Sequence, residues 1–187
     1  MAEELAAAAP LPAGFTIAII AAGSAGTGLA YLCAAAGLNV IVEDLFPSNL
    51  RKLADKIQAT SGPYRRYISF SSSVEDAVRN ADFVIDLVPD ELESKLEILC
   101  MLDRMAPPKT ILCSPMRNTS ISDLQTCTYR ADRCIAIVPP EAKDWEGLGE
   151  ATLIAGKTTS EATLAVARSV WQRMGKPVRV VREAVRD

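Results

Sequence analysis

Short apolar runs alternate with amphipathic stretches along most of the 187 residues, and this alternation indicates a fold class before any single residue matters. Residues 15–20 (FTIAII) form a continuous apolar run of strand length, the pattern of a strand covered on both faces. A glycine and serine turn follows, then a helix to about Ala36 that Gly37 stops in the C′ position. The next strand spans 38–42 and is closed by Glu43 and Asp44. Ser48 is placed to cap a helix whose apolar positions Leu50, Leu53, Ala54 and Ile57 keep helical spacing, and Gly62-Pro63 ends it. Further strands are predicted at 67–71, 83–88, 110–114, 133–138, 151–155 and 177–182. Between them fall helices opened by Ser73 and Asp90, a short one over 121–127, and one over 160–174 that Gly175 stops. Repeated β-α-β units with apolar strands predict an α/β, doubly wound, mostly parallel sheet with helices on both faces. Residues 1–14, rich in alanine with Pro10 and Pro12, read as a flexible lead-in, and 15–187 as one domain with no repeat or linker.

The net charge of −3 does not suggest binding to a phosphate backbone, so no nucleic-acid partner is expected. Histidine is absent altogether, which removes Ser-His-Asp and Cys-His nucleophile systems, His-ligated metals and any imidazole base. The five cysteines (33, 100, 113, 127 and 134) form no C-x-x-C pair and no zinc pattern, so no metal is expected and they read as reduced, small apolar residues. The apolar stretch 15–42 is broken by Gly23, Ser24, Gly26, Gly28 and Gly37, so it is not a membrane span. The first fifty residues contain no Lys or Arg, so the charged region of a signal peptide is missing, and a cytoplasmic location is expected.

Candidate chemistry gathers after the first strand. Ala21-Ala22-Gly23-Ser24-Ala25-Gly26 stands where a dinucleotide fold places G-x-G-x-x-G. Gly23 supplies a residue without Cβ where backbone meets a pyrophosphate, and Gly26 a small residue where helix packs on strand. The first glycine is replaced by Ala21, which predicts a looser or mildly strained turn. Asp44, 18 residues after Gly26 at the end of the second strand, can accept hydrogen bonds from ribose hydroxyls and repel a 2′-phosphate, which favours NAD over NADP. The candidate cofactor-binding residues are therefore Ala22, Gly23, Ser24, Ala25, Gly26 and Asp44. A doubly wound domain whose loop binds nothing, and an S-adenosylmethionine site, are the alternatives.

From residue 15 to 182 the sequence resembles the NAD-binding domain of the 3-hydroxyacyl-CoA dehydrogenase family. The resemblance is carried by 17–44, with Gly-Leu-Ala at 28–30 and Ala-Ala-Ala-Gly at 34–37, by 81–95 (ADFVIDLVPDELESK), and by Arg-Met-Gly-Lys-Pro-Val-Arg-Val-Val near the end. It implies that Asp90 and Lys95 approach the cofactor. Read without it, Asp90 caps a helix and Lys95 is a solvated charge. The resemblance also implies a His–Glu dyad, in which imidazole takes the hydroxyl proton as hydride leaves. The dyad carboxylate falls on Glu150, the candidate catalytic residue, but the histidine falls on Val138, and Glu141 replaces a substrate-side asparagine. The family's Asn-Thr-Ser segment aligns either on 115–117 or, with a three-residue shift, on Asn118-Thr119-Ser120. The insertion after the second strand is shorter than the family's (48–66), and the family's all-helical C-terminal domain lies outside the resemblance.

The expectation is an NAD(H)-binding domain whose own dehydrogenase activity is absent or impaired. Its substrate class would be an acyl-CoA or a hydroxy acid, with a homodimer or a partner chain open. One alternative is an active oxidoreductase on a related hydroxy-acid or hydroxyacyl substrate, using Lys143, Glu150 or a partner chain's residue as base. The other is a non-catalytic subunit or nucleotide sensor.

Overall fold

The computed structural model describes residues 10–60, 62–139 and 149–183. Strands β1 (Thr16–Ile20), β2 (Asn39–Glu43), β3 (Ile68–Ser71), β4 (Phe83–Asp86), β5 (Ile111–Pro115), β6 (Cys134–Val138), β7 (Ala151–Ala155) and β8 (Val178–Arg182) form one sheet in the order β3-β2-β1-β4-β5-β6-β7-β8. The pairs from β3 through β6 are parallel, as the sequence predicts. β7 runs antiparallel to β6, and β8 is parallel to β7. The chain order reverses between β1 and β4, the switch point at which doubly wound sheets open a crevice beyond their strand ends.

Alternation within the strands divides the core. Ile17 and Ile19 of β1 join α1 (Ser24–Ala35), α2 (Pro47–Ala59) and α6 (Glu161–Arg173) on one face, with Trp171 fully buried there. Ala18 and Ile20 point the other way, into a second cluster with α3 (Val74–Val78), α4 (Leu92–Met105) and α5 (Ile121–Gln125). Each fully buried Ile, Leu or Phe contributes about 1.5–3 kcal/mol relative to exposure, so both faces hold the sheet.

Gly37 and Gly175 end α1 and α6 with φ of 71° and 75°, the left-handed conformation a C′ glycine takes at no steric cost. Ser73 and Ser160 accept the backbone N–H groups of Asp76 and Thr163, capping α3 and α6. Two predicted caps are corrected. The second helix begins at Pro47, not Ser48, because proline has its φ set for the first helical turn. Asp90 does not cap α4, whose cap position is Glu91, because its carboxylate is engaged across the crevice. α5 ends at Gln125, two residues short of the expected Cys127, and a short 3-10 helix over Pro63–Tyr67 was not expected.

Candidate functional site

Strand ends Ile20, Glu43, Asp86, Pro115 and Val138 share one edge of the sheet, since β1 to β6 are parallel. At the centre of that edge, the turn out of β1 holds Ala21 at φ 84°, a conformation in which an L side chain is strained and glycine is not. The strain predicted for the missing first glycine is therefore present. The turn keeps its shape because the Ala21 N–H donates to the Glu43 carbonyl at 2.9 Å and the Ala22 N–H to Asp44 Oδ2 at 2.8 Å. Ala21→Gly should relieve about 1–2 kcal/mol of left-handed strain and lose about 0.5–1 kcal/mol to unfolded-chain entropy. We expect a net gain near 0.5–1 kcal/mol, read as a higher melting temperature. An unchanged or lower value would mean that the turn is not strained.

The two remaining glycines do different work. A Cβ on Gly26 would lie 2.1 Å from the Ala21 carbonyl oxygen, so this glycine is what lets α1 sit against the turn. A Cβ on Gly23 would meet nothing within 4 Å, and Gly23 and Ser24 are exposed at the mouth of the turn. The first α-helical bond runs from the Thr27 N–H to the Gly23 carbonyl at 2.9 Å. The N–H groups of Ser24, Ala25 and Gly26 therefore precede the helical ladder and form the positive end of its dipole. Open space in front of a helix N-terminus with unladdered amides suits a phosphate group.

Asp44 is buried beside this turn, 6% exposed. Its Oδ1 accepts the Phe46 N–H at 2.8 Å, its Oδ2 accepts the Ala22 N–H, and the Asn49 Nδ2 donates to both oxygens at 3.1 Å. Asn49, one turn into α2, was not anticipated. The pattern Asp-x-x-x-x-Asn from strand end to helix start was the signal available. Asp44 is thus a carboxylate that positions the turn, with Asn49 donating to both of its oxygens.

Glu43 is the second residue missed. It is 2% exposed, its Oε1 has no hydrogen-bond partner, and burial together with the neighbouring Asp44 charge raises its carboxyl to about 7. Unfolded, it ionises near 4.5, so between 4.5 and 7 the folded state holds a proton that the unfolded state has released. Stability from this group is full below that window and falls as pH rises through it. Glu43→Gln should therefore gain about 1–3 kcal/mol over the parent at pH 8 and nothing at pH 4.5. Thermal unfolding at both values tests this. Equal shifts at the two values would show that Glu43 does not titrate in the window.

Across the switch point, Asp90 organises the other half of the edge. Its Oδ2 accepts the N–H groups of Arg117 (2.6 Å) and Asn118 (2.8 Å), and its Oδ1 the Thr119 hydroxyl (2.7 Å). Burial alone would raise its carboxyl, but these bonds and the Lys95 charge outweigh it and hold it below the usual range. Arg117 Nη2 donates to the Pro139 carbonyl at 2.8 Å, tying the loop after β5 to the end of β6. Lys95 is not a solvated charge: it is 1% exposed, and its Nζ lies 2.6 Å from Oδ1 of Asp86, the last residue of β4. Burial raises the Asp86 carboxyl, and the Lys95 charge and hydrogen bond oppose that.

Glu150 precedes β7. Because β7 is antiparallel and Val138 pairs with Thr152, Glu150 falls on the same edge as Val138. It is exposed, with Arg179 Nε 3.8 Å from its Oε2. Glu141 and Lys143 lie outside the described residues. No group of three or more metal-binding side chains occurs among the described residues, and no helix there is long and apolar enough to cross a membrane.

A glycine turn, unladdered helix N–H groups and a strand-end acid at the switch point of a doubly wound sheet define a dinucleotide-binding domain. The family described as 3-hydroxyacyl-CoA dehydrogenase, NAD binding domain, matches residues 16–184, and the chain belongs to it. NAD is the cofactor of this family's domain, and the chain has the Rossmann-type architecture of its structures. A probable 3-hydroxybutyryl-CoA dehydrogenase of Bacillus subtilis is 29% identical over 86% of this chain and 60% of that protein. An L-carnitine dehydrogenase of Pseudomonas sp. is 25% identical over 90% of this chain and 55% of that protein. The crystal structure of (S)-3-hydroxybutyryl-CoA dehydrogenase from Ralstonia eutropha superposes with a TM-score of 0.80 at 26% identity, over 90% of this chain and 64% of that one. The chain thus spans little more than half the length of the curated relatives it matches.

Proposed function

We propose that the crevice over β1 and β4 binds NAD(H), and that this chain's own hydroxyacyl dehydrogenase chemistry is absent or strongly impaired. The observation that carries the impairment is Val138. It ends β6 on the edge that also holds Glu150, in the place where the family resemblance puts the dyad histidine, and the chain contains no histidine to replace it.

On this reading, the amides of Ser24 to Gly26 face the pyrophosphate across the open side of Gly23, with Ala22 lining the turn. Asp44 receives the adenosine ribose where Asn49 now donates, and its charge excludes a 2′-phosphate, so NAD is preferred to NADP. Asp90 shapes the loop of residues 117–119 over the nicotinamide half, and Lys95, neutralising Asp86 from beneath, supports the floor. Bound NAD(H) supplies hydride chemistry; Val138 can take no proton from a hydroxyl, and Glu150 is left to orient nothing. An acyl-CoA or a hydroxy acid is the substrate class that the named relatives suggest, and a reducing, cytoplasmic compartment suits the unpaired cysteines.

Calorimetric titration with NADH tests the binding half. We expect micromolar affinity, at least tenfold weaker binding of NADPH, and loss of binding on Asp44→Ala. No binding at millimolar NADH would refute it. Acetoacetyl-CoA-dependent NADH oxidation by the pure chain, above a no-enzyme control, would refute the impairment. Loss of that oxidation on Glu150→Gln or Lys143→Ala would then identify a non-histidine base.

A further inference from the structure

Three of the five thiols are sealed in the core. Burial pushes Cys33 up to about 12 and Cys134 up to about 11, and Cys113 is raised by burial and by the nearby Asp86. As thiols they are poor nucleophiles at neutral pH, because the thiolate is the reactive form.

Cys100 and Cys127 differ in both exposure and company. Cys127 is exposed and Cys100 is partly so. Both line one cavity of about 250 Å³ between α4 and the turn that follows α5, shared with Asp103, Arg104, Thr126 and Tyr129. This cavity lies toward the C-terminal end of α4, away from the crevice at the opposite end of that helix. Cys100 Sγ donates to the Cys127 carbonyl at 3.8 Å, so one side chain reaches the backbone of the other residue. A disulfide needs Cβ atoms about 3.8 Å apart. Cys127 sits in a turn rather than a ladder, held by its N–H to the Leu124 carbonyl at 3.1 Å, and the next amide reaches Gln125 only at 3.5 Å. The Cys127 Sγ now lies 3.5 Å from the Thr126 hydroxyl, so closing the pair requires that thiol to turn from Thr126 toward Cys100.

We propose that Cys100 and Cys127 form a peroxide-reactive dithiol that closes to an intramolecular disulfide. The exposed Cys127 thiolate attacks one oxygen of hydrogen peroxide and breaks the O–O bond. This gives a sulfenic acid and, with one proton, water. Cys100 then attacks the sulfenic sulfur, its proton leaving with the departing hydroxyl as a second water. The two thiols lose two electrons and two protons, and peroxide is reduced to two waters. The bond would fasten α4 to the segment leading from α5 toward β6.

The test is mass spectrometry of the native protein after treatment with hydrogen peroxide, quenching and alkylation with N-ethylmaleimide. Before oxidation, Cys100 and Cys127 should be the thiols alkylated without denaturant. After it, both should be protected together, with a mass loss of two hydrogens, a cross-linked peptide joining them, and recovery on dithiothreitol. In Cys100→Ser, dimedone should trap a sulfenic acid on Cys127; in Cys127→Ser, neither species should form. Both residues lie outside the core clusters, so an unchanged melting temperature confirms that the variants fold. Oxidation of Cys127 to sulfinic acid in the parent while Cys100 stays alkylatable would overturn the proposal, as would a cross-link that survives Cys100→Ser.

Discussion

Replacing Lys95 by methionine will cost the fold about 3–5 kcal/mol at neutral pH, because it leaves the Asp86 carboxylate buried without its counter-charge. The pair is 2.6 Å apart and almost wholly sealed, and it joins the end of β4 to the first turns of α4. A surface ion pair of the same geometry would be worth about 0–1 kcal/mol, so the size of the loss reports burial rather than contact. The pH dependence has a definite sign. Burial already raises the Asp86 carboxyl, and removing Lys95 removes what pulls it back. The deficit relative to the parent should therefore narrow as pH falls, because the folded variant takes up a proton on Asp86 at higher pH than the parent does. Lys95→Met combined with Asp86→Leu should recover most of the loss, since an apolar pair of similar volume tolerates burial. Urea unfolding of the two variants at pH 7 and pH 5 measures all three. A single-variant loss below about 1 kcal/mol would mean that water reaches Asp86.

Gly26→Ala and Gly23→Ala should separate the two uses of glycine in the β1 turn. The new methyl at 26 would meet the Ala21 carbonyl oxygen at 2.1 Å and its carbon at 3.2 Å, with Leu87 Cδ1 at 3.4 Å behind. The nearest of these is backbone, in a turn already held at positive φ, so relief has to come from moving α1 off β1. Overpacking of this kind costs about 1–3 kcal/mol or more, and it displaces the amides of Ser24 to Gly26 as well. We expect a lower melting temperature and a loss of NADH affinity of at least tenfold. At 23 the methyl meets no atom, and φ is −63°, which alanine adopts freely. Gly23→Ala should therefore keep the parental melting temperature and lose affinity alone. Melting curves and NADH titrations on both variants decide it. Parental affinity in Gly23→Ala would remove the pyrophosphate from that side of the turn.

Local chemistry made half of the site legible. The strand, glycine turn, helix and acid lie within 29 residues, from Thr16 to Asp44, and each is specified by its own backbone needs. Gly26 packs as its position in that pattern demands, and Ala21 bears the strain that its departure from the pattern implies. The other half depends on residues far apart in sequence. Asp90 reads as a helix cap because its true partners, Arg117 to Thr119, come some 27–29 residues later. Lys95 reads as solvated because charge on a helix usually is. The aspartate ending the apolar run at 83–86 was the available hint that a buried cation was needed.

The alternation of buried strands and amphipathic helices, the helix stops at Gly37 and Gly175, and the turn-and-acid module were all legible in local stretches of residues. All of these follow from 2.0- and 3.6-residue periodicity and from backbone conformations only glycine takes freely. Packing of the whole sheet set the direction of β7, and with it the edge that Glu150 shares with Val138. It also decided that Glu43 loses solvent while keeping an unpartnered oxygen, and that Lys95 is sealed against Asp86. These outcomes turn on which strands become neighbours and how much water is left between them. That is a property of the assembled sheet, and no local window of residues carries it.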